Sequence, residues 1–242
     1  MKFDQRYFRS HTYKNVSFAK FSQYWWANRY YSMIVQRYTP KKGSVLEIGC
    51  GLGHFLGMLD RDYRTIGIDV NRWALKQAGH NAPNSIMKYM SAEDVGVFPK
   101  SRFNAVIAKH VVEHLKNPAL VLKKINRILK PDGLLLLVTP NPSNLLRHLK
   151  GDSWIGLLDP THISVKTPTE WKSLVKAAGF DLLKAWSDGF WNAPYLPLIP
   201  RPIQKVLFCS PGGIQAILGL SFLPVSLGES TIILAKKSRD IE

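Results

Sequence analysis

Short apolar and β-branched runs alternate with amphipathic segments along residues 43–188 of the chain. This alternation is typical of a parallel sheet whose strands are joined by helices that pack on its faces. The run from Leu134 to Thr139 is apolar except for its last residue, as expected of a strand buried on both faces. The pattern predicts strands at 44–48, 64–69, 85–89, 103–108, 134–139, 180–186 and 231–235, and helical segments at 54–59, 71–78, 119–129 and 169–178.

Two flanking regions depart from this pattern. Residues 1–42 hold twelve aromatic side chains, are rich in lysine and arginine, and predict a helical cap. Residues 189–228 carry only two charged side chains, Arg201 and Lys205, and separate the last two predicted strands. We therefore expect one domain, in which the cap and this insert flank a core made of 43–188 and 229–242.

Composition narrows the class of protein. The chain has 242 residues, 45% of them apolar and 21% charged, which suits one large α/β domain and excludes wholesale disorder. Its 33 lysines and arginines against 17 acidic residues give a formal net charge of +16, which attracts phosphorylated substrates, nucleic acid or an anionic membrane. Two cysteines, Cys50 and Cys209, exclude a disulfide scaffold. The first residues lack the apolar stretch of a signal peptide, so we expect a cytoplasmic protein.

A glycine motif follows the first predicted strand. Residues 45–53, Val-Leu-Glu-Ile-Gly-Cys-Gly-Leu-Gly, combine a strand with the tight turn that lets backbone approach a ligand closely. Asp69 ends the second strand, where a carboxylate can bind both hydroxyls of a ribose. The glycine spacing differs from the nicotinamide fingerprint and disfavours an NAD oxidoreductase. Glu47, inside the strand, is costly to bury unless it meets a cation, which favours a ligand with an ammonium group.

At these residues the chain resembles the class I S-adenosylmethionine-dependent methyltransferases, above all the group that includes ubiquinone-biosynthesis O-methyltransferases and many small-molecule and sugar methyltransferases. Further matching segments are 91–94, 103–108 (with Asn104 in place of the usual Asp), 112–115, 129–133, 169–171 and 178–180. The resemblance implies a Rossmann-like α/β fold with helices on both faces of a seven-stranded sheet. The implied strand order is 3-2-1-4-5-7-6, with strand 7 antiparallel.

The resemblance also implies the cofactor, S-adenosyl-L-methionine, and its product, S-adenosyl-L-homocysteine. It assigns Glu47 and the glycine loop to the methionyl end, Asp69 to the ribose, and backbone around residue 92 to the adenine. Lys109 is less typical of the family at its position, and the role of its side chain is open. The implied cofactor-binding set is Glu47, Gly49, Cys50, Gly51, Gly53, Asp69, Val70, Ala92, Glu93, Ala108 and Lys109.

Methyl transfer from a sulfonium is an in-line displacement, and an oxygen acceptor usually needs a base as well. The candidate bases are His162, His110, His114 and Asp159. His162 is the foremost of these because it follows the fifth predicted strand, on the rim where acceptors bind. A loop histidine that only caps backbone groups is the alternative.

The same histidines suggest a metal site as a second hypothesis. His110, Glu113, His114 and His162 together offer three imidazoles and a carboxylate, a set that suits a divalent ion. Some relatives bind a metal at the corresponding turn through Glu-x-x-Glu-His, but His110 replaces the first Glu here, and many relatives with Glu-His bind none. We therefore expect no metal.

Prolines and glycines break the insert into pieces shorter than the roughly 20 residues of a membrane-spanning helix. We predict that the insert forms two short apolar helices, 203–209 and 214–223. These helices either cover the acceptor site or lie in the anionic surface of the inner face of the membrane. Packing into the core or a homodimer interface is the alternative.

The leading hypothesis for function is methyl transfer to a small-molecule acceptor that is lipid-linked, quinone-like or a glycan, at oxygen rather than nitrogen or carbon. An RNA or tRNA methyltransferase is favoured by the charge and the aromatic residues. It is disfavoured because the basic residues are scattered and no RNA-binding module is visible. A protein that binds S-adenosylmethionine without catalysis is a third hypothesis.

Overall fold

The structure is a computed structural model that describes residues 16–151 and 154–240. Within them one sheet contains β1 (Ser44–Ile48), β2 (Arg64–Asp69), β3 (Ile86–Tyr89), β4 (Phe103–Lys109), β5 (Leu129–Pro140), β6 (Phe180–Ser187) and β7 (Ser230–Lys237). The strand order is 3-2-1-4-5-7-6, and β7 runs antiparallel to both of its neighbours. The predicted Rossmann-like fold and its strand order are confirmed.

Eight α-helices accompany the sheet in the described part of the chain. They are α1 (Gln23–Tyr38), α2 (Arg72–Asn81), α3 (Pro118–Ile128), α4 (Arg147–Lys150), α5 (Ile155–Leu158), α6 (Pro168–Ala177), α7 (Arg201–Gln204) and α8 (Ser210–Leu218). Local sequence sets several of their boundaries. Asn71 caps α2 by accepting a hydrogen bond from the Ala74 backbone, as predicted, and Thr167 and Glu170 form a reciprocal capping box at the start of α6.

The central strands are buried on both faces. Along β5, Leu135 and Leu137 contribute to an apolar cluster that includes α3 and α6, while Leu134 and Leu136 contribute to a second cluster that includes α1. Burial of each such leucine is worth about 1.5–3 kcal/mol relative to exposure. This two-sided core fixes the carboxyl edge of the sheet, where the parallel strands β1, β2 and β4 end side by side.

Three predicted helical segments, 54–59, 203–209 and 214–223, differ from those observed. The segment 54–59 forms only a 3-10 turn, Leu56–Met58, because the chain packs tightly against the end of α2: a Cβ at Gly57 would lie 2.3 Å from the Asn81 carbonyl oxygen. In the insert, α7, a π-helical turn (Lys205–Cys209) and α8 follow one another without a break. Pro211 cannot donate the usual helical hydrogen bond, and the preceding turn is widened. The helical segment ends at Gly219, whose φ is +65°, so 220–223 is not helical.

Helices α1 and α8 are held together by hydrogen bonds above the carboxyl edge of the sheet, although about 170 residues separate them in the chain. Arg29 and Arg37 donate to the carbonyl oxygens of Ile217 and Gly219 at 3.5 and 3.2 Å. These cations lie at the carboxyl end of α8, where the helix dipole favours positive charge. We call α1 and α8 together the roof. The aromatic residues of the cap before residue 16 lie outside the described residues.

Candidate active site

A cavity of about 880 Å³ lies between the carboxyl edge of the sheet and the roof. The glycine loop, the end of β2 and residues 90–93 line one end of it. Side chains from the roof and from the turns after β4 and β6 line the other, among them Tyr24, Tyr31, His110, Asp188, Trp191 and Gln215. The volume of the cavity is within the range typical of small-molecule sites.

The glycine loop is built so that its backbone faces the cavity. Gly49 has φ +67°, and a Cβ there would lie 2.3 Å from the Val111 side chain, so this position requires glycine. Gly49, Cys50 and Gly51 line the cavity. Gly53 does not line it. Its φ is +78° and a Cβ would lie 2.7 Å from the Ala78 backbone, so Gly53 lets the loop pack on α2.

Asp69 ends β2 and lines the cavity beside the glycine loop. One carboxylate oxygen accepts from the Gly51 N–H at 2.9 Å and the other from the Asn71 N–H at 2.8 Å. Burial raises the pKa of Asp69, and the backbone donors oppose that rise. Each carboxylate oxygen can accept a further bond, so the arrangement fits the two hydroxyls of a ribose.

The neighbouring segment fits an adenine. Val70, Ala92 and Glu93 line the cavity, and Ser91 orders their backbone by accepting from the Glu93 N–H at 3.1 Å. Ala108, by contrast, is buried in the sheet and does not line the cavity. Its predicted cofactor contact stays a prediction.

Glu47 is a buried carboxylate that lines the cavity beside the glycine loop. Its Oε1 lies 3.2 Å from the Lys109 ammonium, while Oε2 is buried and has no hydrogen-bond partner among the described residues. Burial raises the pKa of Glu47 to about 7, and Lys109 opposes that rise. A buried acceptor of this kind is unfavourable unless a donor reaches it, and the ammonium group of S-adenosylmethionine is such a donor.

The imidazole side chain of His110 lines the half of the cavity opposite the glycine loop. It follows β4 with a left-handed φ of +52°, held by its N–H bonding the Val138 carbonyl at 2.8 Å. Its Nδ1 lies 3.3 Å from Glu113 Oε1, and its side chain, 51% exposed, lines the cavity. Enclosure lowers the pKa of His110, but Glu113 and, more weakly, Asp188 outweigh this and raise it overall. His110 is the predicted base that the geometry favours most.

Asp188 is a site residue that the sequence analysis missed. It stands at the carboxyl end of β6, lines the cavity, and its Oδ1 accepts from the Ser230 N–H at 3.0 Å. Burial raises the pKa of Asp188 to about 6, opposed by Ser230 and by His110. The available signal was its place directly after a strand predicted to run parallel to β1 and β4, because the carboxyl ends of such strands share one edge.

His162 lies behind the cavity wall. It does not line the cavity; its Nδ1 lies 2.9 Å from the Gly156 carbonyl oxygen, and its ring packs 4.7 Å from that of His114. His114 does line the cavity, and its Nδ1 lies 2.9 Å from the Thr161 hydroxyl. Asp159, which accepts from the Thr161 N–H at 2.9 Å, orders the same loop and does not line the cavity. The geometry thus favours His110 and His114 over His162 and Asp159 as groups that touch an acceptor.

Glu113, His114 and His162 converge as a candidate metal centre. Their ligand atoms all lie within 4.8 Å of one another. Glu113 is fully buried; its Oε1 lies 3.3 Å from His110 Nδ1, and its Oε2 has no hydrogen-bond partner among the described residues. The Nδ1 atoms of both histidines face backbone carbonyls, an arrangement that orients metal-binding imidazoles. The three residues fit a divalent cation, which would supply Lewis-acid activation of an acceptor hydroxyl. His110, the fourth member of the set considered from the sequence, is not among them, and a metal here would depart from the expectation of none.

Strand order and the site together define the class of protein. A mixed seven-stranded sheet with β7 inserted antiparallel between β5 and β6 is the class I S-adenosylmethionine-dependent methyltransferase fold. Two features of the site fit that cofactor: Glu47 Oε2 has no hydrogen-bond partner among the described residues, and the Asp69 carboxylate beside the glycine loop can bind ribose hydroxyls.

Comparison with known proteins gives the family. Residues 24–185 match the methyltransferase-domain family, and the chain belongs to it. A ubiquinone biosynthesis O-methyltransferase of Bradyrhizobium diazoefficiens is 34% identical over 100 residues, which are 40% of this chain and 40% of that protein. One from Leptothrix cholodnii is 29% identical over 150 residues, 57% of this chain and 64% of that protein. The cofactor implied by family and fold is S-adenosylmethionine.

Solved structures agree on the fold. A SAM-dependent methyltransferase from Archaeoglobus fulgidus superposes with a TM-score of 0.60 at 20% identity, over 87% of this chain and 94% of that chain. The match supports the fold alone. The two curated relatives are each matched over less than two thirds of their length, so the acceptor is a matter for proposal.

Proposed function

We propose that the protein transfers a methyl group from S-adenosylmethionine to a hydroxyl of a small-molecule acceptor that is lipid-linked, quinone-like or a glycan. The observation that carries this proposal is the continuous cavity, with cofactor groups at one end and a half-exposed histidine under an aromatic and apolar roof at the other. Two relatives named for O-methylation in ubiquinone biosynthesis support the same acceptor chemistry.

The chain's own residues would act mainly by placement. The glycine loop, Glu47 and Asp69 fix the cofactor, and the cavity lets the acceptor oxygen approach the methyl group in line. His110 accepts the hydroxyl proton as the oxygen attacks, since its imidazole faces the cavity and Glu113 orients the ring from Nδ1. Asp188 favours the imidazolium that results, because its charge acts on His110 in the same cavity.

Labelled methyl transfer from S-adenosylmethionine tests the proposal against its alternatives. Equal amounts of the chain are incubated with an o-diphenol carrying a prenyl tail, a glycolipid, and bulk tRNA. We expect label in the diphenol or the glycolipid and none in tRNA. Label in tRNA alone would favour the nucleic-acid hypothesis. Cofactor binding without transfer to any acceptor would favour a non-catalytic protein.

Contact with an anionic membrane surface is part of this proposal. The insert exposes a set of apolar side chains, namely Leu198, Ile203, Val206, Leu207, Ile214, Ile217, Leu218, Leu220 and Phe222. Residues 190–228 contain no acidic side chain, and Arg201 and Lys205 are both exposed. Apolar side chains flanked by cations suit the boundary of an anionic bilayer. No helix among the described residues is long and apolar enough to cross a membrane.

Liposome flotation tests the membrane contact. Wild-type protein should float with vesicles of mixed anionic and zwitterionic lipid and less with purely zwitterionic ones. The pair Val206→Ser and Leu207→Ser should weaken binding about tenfold or more, because each apolar side chain contributes about 1.5 kcal/mol or more when buried. Leu120→Ser, at an exposed leucine of α3, is the matched control and should change nothing. Equal flotation of all variants, or none of the wild type, would contradict the proposal.

A further inference from the structure

Lys109 places a buried ammonium group beside the methionyl end of the cofactor site. It ends β4, lines the cavity and has a side chain only 13% exposed. Its Nζ lies 3.2 Å from Glu47 Oε1, donates to Asn28 Oδ1 at 2.8 Å and sits 4.0 Å from the centre of the Phe55 ring. Burial of a cation is unfavourable unless its environment compensates the charge. A lysine at this position is therefore expected to have a functional or structural role.

Glu47 and Lys109 together present two opposite charges side by side at the cavity wall. Glu47 Oε2 lacks a hydrogen-bond partner among the described residues. A lysine ammonium has three donors, and Glu47 and Asn28 account for two of those of Lys109. Both residues line the cavity, and each keeps hydrogen-bonding capacity that a ligand there could use.

An amino-acid zwitterion is complementary to such a pair. The methionyl group of the cofactor carries an α-ammonium and an α-carboxylate on one carbon. With the ammonium on Glu47 and the carboxylate on Lys109, four charges of alternating sign neutralise one another at two side chains that are only 2% and 13% exposed. A lone acid would satisfy the ammonium and leave the carboxylate without a cation.

We infer that the Lys109 side chain binds the methionyl carboxylate and so positions the cofactor. The inference rests on the proposed cofactor site and adds a role for the side chain. The same ammonium donates to Asn28 of α1, so the roof and the carboxylate share one donor group. Lys109 thereby connects cofactor binding to the helix that covers the site.

Two adenosine ligands isolate the carboxylate contact. S-Adenosylhomocysteine carries the amino-acid group, and 5′-methylthioadenosine has the same adenosine and thioether without it. Calorimetry on Lys109→Met should show S-adenosylhomocysteine binding weakened about 10- to 100-fold, the range of a charge-assisted hydrogen bond. Binding of methylthioadenosine should change less than about threefold, because nothing in that ligand reaches Lys109. Lys123→Met, at an exposed lysine of α3, makes the same change in net charge and should leave both affinities unaltered.

An equal loss for both ligands would assign Lys109 to the fold of the site alone and overturn the inference, as would unchanged binding of S-adenosylhomocysteine. If circular dichroism shows that Lys109→Met does not fold, Lys109→Gln replaces it under the same criterion, since it keeps amide donors for Glu47 and Asn28 without the charge. The assay contains no acceptor, so a failure of the proposed methyl transfer leaves its result intact.

Discussion

Replacement of His110 by asparagine is expected to lower kcat by about 10²- to 10⁴-fold, the usual contribution of a positioned general base. Asparagine is chosen because it tolerates the left-handed backbone that His110 adopts at φ +52°. Affinity for S-adenosylhomocysteine should stay within about threefold of wild type, because His110 lies beyond the glycine loop and the ribose site. The measurement is initial rate against acceptor concentration, paired with calorimetry.

The pH dependence of the wild-type rate is a second test of His110 as the general base. Only the neutral imidazole can accept a proton, so kcat/KM should fall as pH drops through the pKa of His110. Glu113 and Asp188 raise that pKa above its usual 6.5, so the fall should begin at a pH higher than for an unperturbed histidine. His110→Asn should lose this limb, and His80→Asn, at an exposed position on α2, should keep it.

Chelation separates the base from the candidate metal centre. Proton transfer to His110 predicts a rate that EDTA leaves unchanged. A rate that collapses with EDTA and returns on adding a divalent ion would move the essential chemistry to Glu113, His114 and His162. An unchanged kcat in His110→Asn would reject His110 as the base.

Replacement of Asp69 by alanine is expected to weaken binding of S-adenosylhomocysteine by about 10²- to 10⁴-fold. Two ribose hydroxyls lose a charged acceptor, at about 1.5–3 kcal/mol for each such hydrogen bond. The Gly51 N–H, which bonds Asp69 at 2.9 Å, also loses its partner, so the glycine loop is less well ordered. Calorimetry measures the affinity, and thermal unfolding checks that the variant folds.

Asp94→Ala is the matched control for Asp69→Ala, because Asp94 is exposed on the neighbouring 3-10 turn and does not line the cavity. It removes the same charge and should bind S-adenosylhomocysteine as wild type does. Equal affinities in all three proteins would contradict the ribose role of Asp69.

The sheet was predictable because its signals are local. Two-sided burial of β5 is visible in five consecutive apolar residues, and the glycines of 49–53 demand positive φ or close packing whatever surrounds them. The cofactor half of the cavity follows from strand ends that share one edge. For these parts, periodicity and turn chemistry carry most of the information.

The acceptor half was harder to predict because it depends on which side chains tertiary contacts turn inward. His162 occupies the expected rim, yet its ring packs on His114 and its Nδ1 faces the Gly156 carbonyl oxygen. His110 faces the cavity because of a left-handed residue held by β5, and no sequence pattern specifies that conformation. The continuous α7–α8 segment and its hydrogen bonds to α1 likewise depend on contacts between regions far apart in the chain.

The position of the transferred methyl group tests the central claim most directly. The chain is incubated with S-adenosylmethionine carrying a deuterated methyl group and, in parallel reactions, with the prenylated o-diphenol or the glycolipid, and NMR and mass spectrometry locate the label in the product. The account predicts one labelled methyl ether per acceptor, formed by the wild type and all but lost in His110→Asn. Label on carbon or nitrogen, or no transfer to either acceptor from a protein that binds the cofactor, would contradict it.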